Sequence, residues 1–224
     1  MKNVFNNCLK DNFLHFFVCF FLLITFQLSL TPAIIASTVN EDSERIQKAY
    51  ENINDIKGSF IQRSYIKDLK RTDIYKGNFF IKRPMKMKWD YKGETAQEIL
   101  INNDEIIIFQ KKEKQLFRGK FDRNTYGQAP IALLSGFGKI QKEFHVSKKN
   151  SSLILKPKKI MGNILSIEIE PSEAEFPISS FTINDSHSNK IEITLKDVEV
   201  NTGLKDSLFE PIPPKDVTIY EYNP

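Results

Sequence analysis

Cysteine, histidine and tryptophan are all scarce in this chain of 224 residues. Both cysteines, Cys8 and Cys19, lie near the N-terminus, so a chain that loses that segment has no disulfide bond and no thiolate metal site. His145 and His187 do not have the spacing of a zinc site. The sequence also lacks a P-loop, a dinucleotide-binding fingerprint and a nucleophile elbow. We therefore predict no cofactor, no metal site, no catalytic residue and no enzymatic activity.

A strong excess of charge of one sign is also missing. The chain has 32 basic and 28 acidic residues, for a formal net charge of +4. Nucleic-acid-binding proteins usually concentrate positive charge on one face, and this sequence has no such concentration, so we predict no nucleic-acid partner. The length beyond the N-terminal segment suits one domain, residues 37–224, and we predict a monomer.

The first 36 residues predict a secretory signal peptide. Lys2 and Lys10 precede a nearly uninterrupted apolar run over residues 13–30, and small residues follow it up to Ala36. This order is typical of a cleaved signal, so we expect cleavage after Ala36 and a mature protein in the periplasm. The alternative is an uncleaved membrane anchor, because the apolar run approaches the roughly 18 residues that can span a bilayer.

The rest of the sequence predicts one helix followed by many short strands. Apolar residues recur at near-helical spacing over Asn40–Ile56, and acidic residues at its start suit the helix dipole. From Gly58 onward, short β-branched and aromatic runs alternate with turn residues, which is typical of antiparallel meanders. We expect a sheet of roughly ten strands in a sandwich or a barrel.

A second, short helix is predicted within QAPIALLSGFG, residues 128–138. Proline suits the first turn of a helix and glycine its end. If the sheet curls, its concave face must be filled, covered or kept as a cavity, and this helix is a candidate cover. The residues that we assign to this cover, or lid, are Pro130, Ile131, Leu133 and Leu134.

The stretch GNFFIKRPMKMKWDY, residues 77–91, is the most informative part of the sequence. Phe79, Ile81 and Arg83 share one parity, so a strand places a guanidinium in line with two apolar side chains. Pro84 predicts the end of that strand. Arg83 is either an arginine at a strand end or a latch whose donors bind main-chain carbonyls of a covering helix.

Alternation resumes after the proline, and it places Met87, Trp89 and Tyr91 on one face. These side chains either form ordinary core or line a cavity for lipid, for which methionine's adaptable shape is suited. In the second interpretation they form, with Phe79 and Ile81, an apolar interior that acyl chains can reach.

These motifs, in this order, resemble the LolA-type periplasmic carriers of outer-membrane lipoproteins. GSFIQ at 58–62 resembles the first-strand motif of that family, and residues 77–89 are similar to its K-R-P core with a downstream tryptophan. QEILINNDEIIIFQ, APIALL, LILKPK and LFEPIPPKDVTI resemble its following hairpin, lid helix, later strand and closing segment. The resemblance extends from about Glu44 to Ile219.

This resemblance implies a mainly β fold, an unclosed, strongly curved antiparallel β-barrel of the LolA/LolB type with a helical lid. It implies a periplasmic chaperone that binds the acyl chains of lipoproteins and delivers them to the outer membrane. The implied partners are an inner-membrane ABC-type lipoprotein-releasing complex and, if present, an outer-membrane lipoprotein receptor. Arg83 is implied to hold the lid to the barrel wall and to release it when lipid enters.

Two other functions remain open at this stage. The same curved sheet could serve as a lipid-sensing regulatory domain that binds a partner protein, or the chain could be a hydrolase with an unrecognised site. Copurified acyl lipid would argue against the hydrolase, and a transfer assay between membranes would separate a carrier from a sensor.

Overall fold

Twelve strands form one sheet in the computed structural model, which describes residues 39–121 and 140–222. The strands are β1 Asp55–Ile66, β2 Arg71–Lys82, β3 Lys86–Lys92, β4 Gln97–Asn102, β5 Glu105–Gln110, β6 Gln115–Lys120, β7 Phe144–Lys149, β8 Ser152–Pro157, β9 Ile164–Pro171, β10 Ile178–Asp185, β11 Lys190–Val200 and β12 Thr218–Tyr222. The helices are α1 Val39–Asn52, α2 Ile140–Glu143 and a 3₁₀ helix Asp206–Phe209.

The strand order shows two antiparallel meanders joined in the middle of the sheet. The order is β12-β6-β5-β4-β3-β2-β1-β11-β10-β9-β8-β7, so β1 and β11 pair at the centre and β12 and β7 form the edges. Every pairing is antiparallel except that of β12, which lies parallel to β6. The sheet is curved and its edges do not pair with each other, which confirms the predicted mainly β, unclosed fold.

The main hydrophobic core lies on one face of this sheet, which we call the inner face. Apolar residues at alternate positions of β1–β3 and β8–β11 are buried there, together with Ile46 and Tyr50 of α1 and Ile53 just after it. This alternation is what a half-covered antiparallel sheet requires. The helix therefore contributes its apolar stripe to the same core as the strands.

The opposite, outer face carries a smaller apolar cluster. Leu100, Ile107 and Leu116 are buried there, with Val217 from the C-terminal segment packed against them. Lys86, on the same face, pairs with Asp206 at 2.8 Å. The segment after β11 therefore partly covers this face of the sheet.

Two glycines allow aromatic rings to lie across the β1–β2 pair. Gly77 is the register partner of Phe60, and Gly58 is the partner of Phe79. A Cβ atom on Gly77 would clash with the carbonyl oxygen of Asp90 and would lie 2.7 Å from the Phe60 ring. Both rings can therefore pack on the inner face because the residues opposite them have no side chain.

Two details of the predicted architecture were wrong. The helix was expected to reach Ile56 but ends at Asn52, because β1 begins at Asp55 and Ile56 pairs with Ile81 in the sheet. Ile56 is a core residue that continues the helical spacing only by coincidence. The sheet has twelve strands where roughly ten were expected. The strand β6 was not predicted, because Arg118 and Gly119 interrupt its apolar pattern.

Candidate functional site

Arg83 fastens the turn between β2 and β3 to the C-terminal end of α1. One terminal nitrogen of its guanidinium donates to the main-chain carbonyl of Tyr50, and the other donates to the carbonyl of Glu51 at 3.3 Å. The main-chain N–H of Arg83 donates to the carbonyl of Asn54 at 2.9 Å. The side chain itself is exposed. The geometry therefore combines a cation with helix-end carbonyls in a place that solvent can reach.

Helix physics explains why this contact is favourable. The last four carbonyls of an α-helix have no partner within the helix, and they carry the negative end of the helix dipole. The final turn of α1 contains no basic residue of its own, so Arg83 supplies the positive charge from the β2–β3 turn. Burial raises the pKa of the Tyr50 hydroxyl, and the nearby Arg83 charge only partly offsets that rise.

The N-terminal half of α1 is fastened to the other meander. Lys148 of β7 lies 2.7 Å from the Asp42 carboxylate. Arg45 donates to the carbonyl of Ser172 at 3.3 Å and pairs with Glu173 at 2.5 Å, in the loop between β9 and β10. The helix thus connects β7 and the β9–β10 loop with the β2–β3 turn, and Arg83 holds the end nearest that turn.

The five apolar residues predicted to bind lipid all lie on the inner face. Phe79, Ile81, Met87, Trp89 and Tyr91 are buried, and Trp89 has no exposed surface. The Trp89 ring stacks on Phe60 at a centroid distance of 4.2 Å and on Phe79 at 5.5 Å. The structure thus brings these residues together in one packed aromatic and aliphatic cluster.

This burial differs from an interior that acyl chains can reach directly. Phe60 and the apolar side of α1 contribute to the same core as Trp89, which leaves the indole ring no accessible surface in this state. An acyl chain can touch Trp89 only after some of these side chains move. Displacing α1 would remove Ile46 and Tyr50 from the core, so the helix is the natural element to move.

Sequence reasoning missed two members of this cluster. Phe60 was inside a quoted motif but was not assigned to the site, although it shares the face of Trp89. Gln62 is buried on the same face and accepts a hydrogen bond from the Tyr91 hydroxyl at 3.0 Å. The sequence did contain a signal for this contact, because Gln62 is a polar residue at the same strand parity as the apolar Phe60. The predicted lid residues Pro130, Ile131, Leu133 and Leu134 lie outside the described residues.

The described residues show neither a histidine site nor a cluster of metal ligands. His145 and His187 are both exposed there. Within residues 39–121 and 140–222, no group of three or more His, Cys, Asp or Glu side chains could hold a metal ion. No helix in that part of the chain is long and apolar enough to cross a membrane.

Comparison of the fold with solved structures finds a similar architecture. The chain resembles an uncharacterized conserved protein from Thermus thermophilus with a TM-score of 0.52 at 10% sequence identity, covering 83% of this chain and 100% of that one. At this identity the likeness concerns the fold alone.

Sequence comparison gives relatives with a shared description. The chain is 27% identical over 173 residues to the outer-membrane lipoprotein carrier protein of Helicobacter hepaticus, covering 76% of this chain and 86% of the relative. It is 24% identical over 196 residues to that of Neisseria meningitidis serogroup B, covering 85% and 92%. The family model for the outer membrane lipoprotein carrier protein LolA matches residues 51–211, which is most of the chain. The chain therefore belongs to the LolA family of outer membrane lipoprotein carrier proteins.

Proposed function

We propose that this protein carries lipoproteins through the periplasm by enclosing their acyl chains against the inner face of its sheet. The observation that carries this proposal is the fastening of α1, over an apolar core, by the exposed Arg83 side chain. Such a contact can open without breaking a covalent bond. The proposed activity is reversible binding, so it requires no catalytic residue.

The free energy of acyl-chain transfer explains why the contact between Arg83 and α1 can be weak. An acyl chain of about fifteen methylenes gains roughly 12 kcal/mol when it leaves water for an apolar environment. In transfer between a membrane and a carrier, however, the chain exchanges one apolar environment for another, and this term nearly cancels. Small free-energy differences then decide whether the acyl chain moves to the carrier or to the membrane. An exposed charged contact contributes about 1 kcal/mol, which is enough to shift that balance.

Phe79, Ile81, Met87, Trp89 and Tyr91 are the residues that we propose to contact the acyl chains once α1 moves. Their shared face and their continuity with the apolar side of α1 support this assignment. Arg83 is proposed to close the empty carrier and to lose its helix contacts when lipid enters. The segment containing Pro130, Ile131, Leu133 and Leu134 is proposed to complete the lid.

The proposed route begins at the inner membrane. We propose that residues 1–36 direct export and are removed, which leaves residues 37–224 as a single carrier domain in the periplasm. An inner-membrane ABC-type lipoprotein-releasing complex would load this domain. Outer-membrane delivery would follow, through a lipoprotein receptor where one is present.

A transfer assay tests the proposal. Purified protein loaded with a labelled tri-acylated lipoprotein is mixed with outer-membrane vesicles, and label in the vesicle fraction is followed with time. We expect delivery that depends on the protein, with a tri-acylated lipoprotein alone as the control. Stable binding of lipoprotein without delivery would instead favour the lipid-sensing alternative, and absence of binding would reject both.

A further inference from the structure

A polar cleft lies at the end of the inner face opposite Arg83. Arg83 follows the end of β2 that pairs with Asp55, whereas the cleft begins where Gln62 pairs with Tyr75. The β3–β4 loop and the β5–β6 turn complete it, and the Lys111 N–H joins them by donating to the Ala96 carbonyl at 3.2 Å. The volume of the cleft is about 620 Å³, and its polar lining includes Gln62, Ser64, Tyr75, Tyr91, Gln97 and Gln110.

A buried hydrogen-bonded chain forms the floor of this cleft. The Tyr91 hydroxyl donates to the Gln62 side-chain oxygen at 3.0 Å, and the Gln62 nitrogen donates to the Ser64 hydroxyl at 3.0 Å. Gln62 is 8% exposed and Tyr91 is 7% exposed. Burial raises the pKa of Tyr91 to about 12, so its hydroxyl remains a neutral donor at physiological pH.

The floor is rich in groups that both donate and accept. A primary amide has two N–H groups, and the bond to Ser64 uses one of them. Gln97 and Gln110 face each other across β4 and β5 and add two further amides. The charged residues of the cleft, Glu94, Lys112 and Glu113, are all exposed. This arrangement suits a ligand with uncharged donors and acceptors better than an ion.

Tyr91 joins the polar cleft to the apolar interior. Its ring packs edge-on against Phe60 at a centroid distance of 5.3 Å and lies 6.4 Å from the Trp89 ring, while its hydroxyl belongs to the floor. The polar cleft therefore begins where the aromatic cluster ends. A ligand whose hydrocarbon chains lie along that cluster would place the adjoining polar atoms against Gln62.

We propose that this cleft binds the uncharged ester and amide groups through which acyl chains are joined to the first residue of a lipoprotein. The proposal rests on the carrier function proposed above and assigns part of the specificity to this end of the sheet. Amide side chains would donate to the ester and amide carbonyls, and the glutamine oxygens would accept from the N–H of the acylated residue. A chain that lacks these groups would gain nothing from the cleft.

The test compares two ligands on the same protein variants. One is a synthetic tri-acylated cysteinyl peptide with ester and amide linkages, and the other is diphenylhexatriene, a hydrocarbon probe without either group. Tyr91→Phe removes one hydroxyl from the floor. The matched control is Tyr65→Phe, which makes the same change at an exposed tyrosine that does not line the cleft. Fluorescence of Trp89, the single tryptophan, and of the probe reports binding.

We expect the double variant Gln62→Leu with Tyr91→Phe, which removes the Gln62 amide from the floor, to weaken binding of the peptide about tenfold, the loss expected for one neutral hydrogen bond. Tyr91→Phe alone removes only the donor that positions this amide, so it should weaken binding of the peptide less. Binding of diphenylhexatriene should weaken much less than binding of the peptide, because a phenylalanine keeps the ring of Tyr91 in the aromatic cluster, and Tyr65→Phe should leave both ligands unaffected. Equal losses for both ligands, or no loss for the peptide, would overturn the cleft proposal. If the wild type binds neither ligand, the carrier function fails and the cleft proposal fails with it.

A measurement on the unmodified protein guards against variants that do not fold. The side-chain amide signals of Gln62 should shift in NMR spectra when the tri-acylated peptide binds, and should shift much less with diphenylhexatriene. Equal shifts with the two ligands would contradict recognition of the linkage groups.

Discussion

The two ends of the inner face differ in the charge and the burial of their polar contacts. At one end, the cation of Arg83 meets carbonyls of α1 in an exposed position. At the other, neutral Tyr91 and Gln62 form a buried hydrogen-bonded pair. The first contact can exchange with water at little cost, because the Arg83 side chain is already exposed. The second cannot, because either group left alone would be buried without a partner.

This difference suggests that one end of the inner face controls the movement of α1 and the other end recognises the ligand. A contact that opens easily is suited to controlling access to the apolar interior, and a rigid neutral network is suited to recognising a polar group once the ligand is inside. Variants at the two ends should therefore differ in which quantity they change. Substitution at Arg83 should change delivery, whereas substitution at the buried pair should change stability and the affinity for the tri-acylated peptide.

The largest expected effect is that of Arg83→Leu on delivery. Loss of the helix contacts removes about 1 kcal/mol that favours the empty, closed carrier, and a leucine adds roughly 2 kcal/mol of apolar contact for the acyl chains. Together these terms favour the loaded state by about 3 kcal/mol, or roughly a hundredfold. The variant should fold and accept lipoprotein but release it poorly in the vesicle assay, while its free energy of unfolding changes by less than about 1 kcal/mol.

Arg83→Lys is the matched control for that variant. A lysine retains the positive charge near the helix end but lacks the planar fork that reaches two carbonyls at once. Delivery by this variant should lie between those of the wild type and Arg83→Leu. Normal delivery by a folded Arg83→Leu protein would reject the latch and leave Arg83 as an ordinary arginine at a strand end.

A smaller effect is expected for substitutions of Gln62 and Tyr91, at the end of the inner face opposite Arg83, and this effect is on stability. Gln62→Leu should lower the free energy of unfolding by about 2 kcal/mol, because it removes the acceptor of the buried Tyr91 hydroxyl. Adding Tyr91→Phe should recover part of that loss, since both polar groups are then gone. Urea unfolding of the two single variants and the double variant measures the coupling. Simply additive losses would show that the two side chains do not act as a pair.

The smallest effect is a change in acid sensitivity beside the Arg83 end. Burial alone would raise the pKa of Asp55, but hydrogen bonds from Thr202, Leu204 and Gly203 lower it below its usual value. Its stabilising contribution is therefore complete above the unfolded pKa near 3.9, and is lost as pH falls through the lower folded pKa. Asp55→Asn should flatten the loss of stability below about pH 4 in denaturation measured from pH 7 to pH 2.

Asp206 provides the contrast for that experiment. Hydrogen bonds from Lys82 and Lys86 lower its pKa to about 2, yet its carboxylate is exposed. Its contribution is also lost between about pH 4 and pH 2. Asp206→Asn should change the acid profile less than Asp55→Asn does, and salt should abolish the change because it screens exposed pairs. An equal effect at both positions would contradict the role of burial at Asp55.

Much of the fold could be predicted because it depends on local alternation. Met87, Trp89 and Tyr91 alternate with charged residues, and the structure buries them accordingly. The boundary of α1 could not be predicted as well, because Ile53 and Ile56 are apolar at helical spacing whether or not the helix continues. What ends it is the pairing of Ile56 with Val200, a contact between distant parts of the chain.

The candidate site shows the same limit. Arg83 could be singled out because a guanidinium in phase with Phe79 and Ile81 breaks a clear pattern. Its acceptors could not be identified, since the carbonyls of Tyr50 and Glu51 are main-chain atoms that every residue possesses. The pairing of Gln62 with Tyr91 likewise depends on the register of β1 against β2 and of β2 against β3. A sequence shows which side chains are present, but it does not show the register that places two side chains of different strands next to each other.

The parallel strand β12 has a consequence for how the molecule is made. It pairs Thr218–Tyr222 with Gln115–Gly119, so the edge of β6 receives a partner that lies about a hundred residues further along the chain. Until β12 joins, a chain that has folded β1–β6 has an unpaired edge at β6. Such edges template association between chains, and closing so long a loop slows folding. Nascent or truncated forms that lack residues after Val217 should thus be the forms that aggregate.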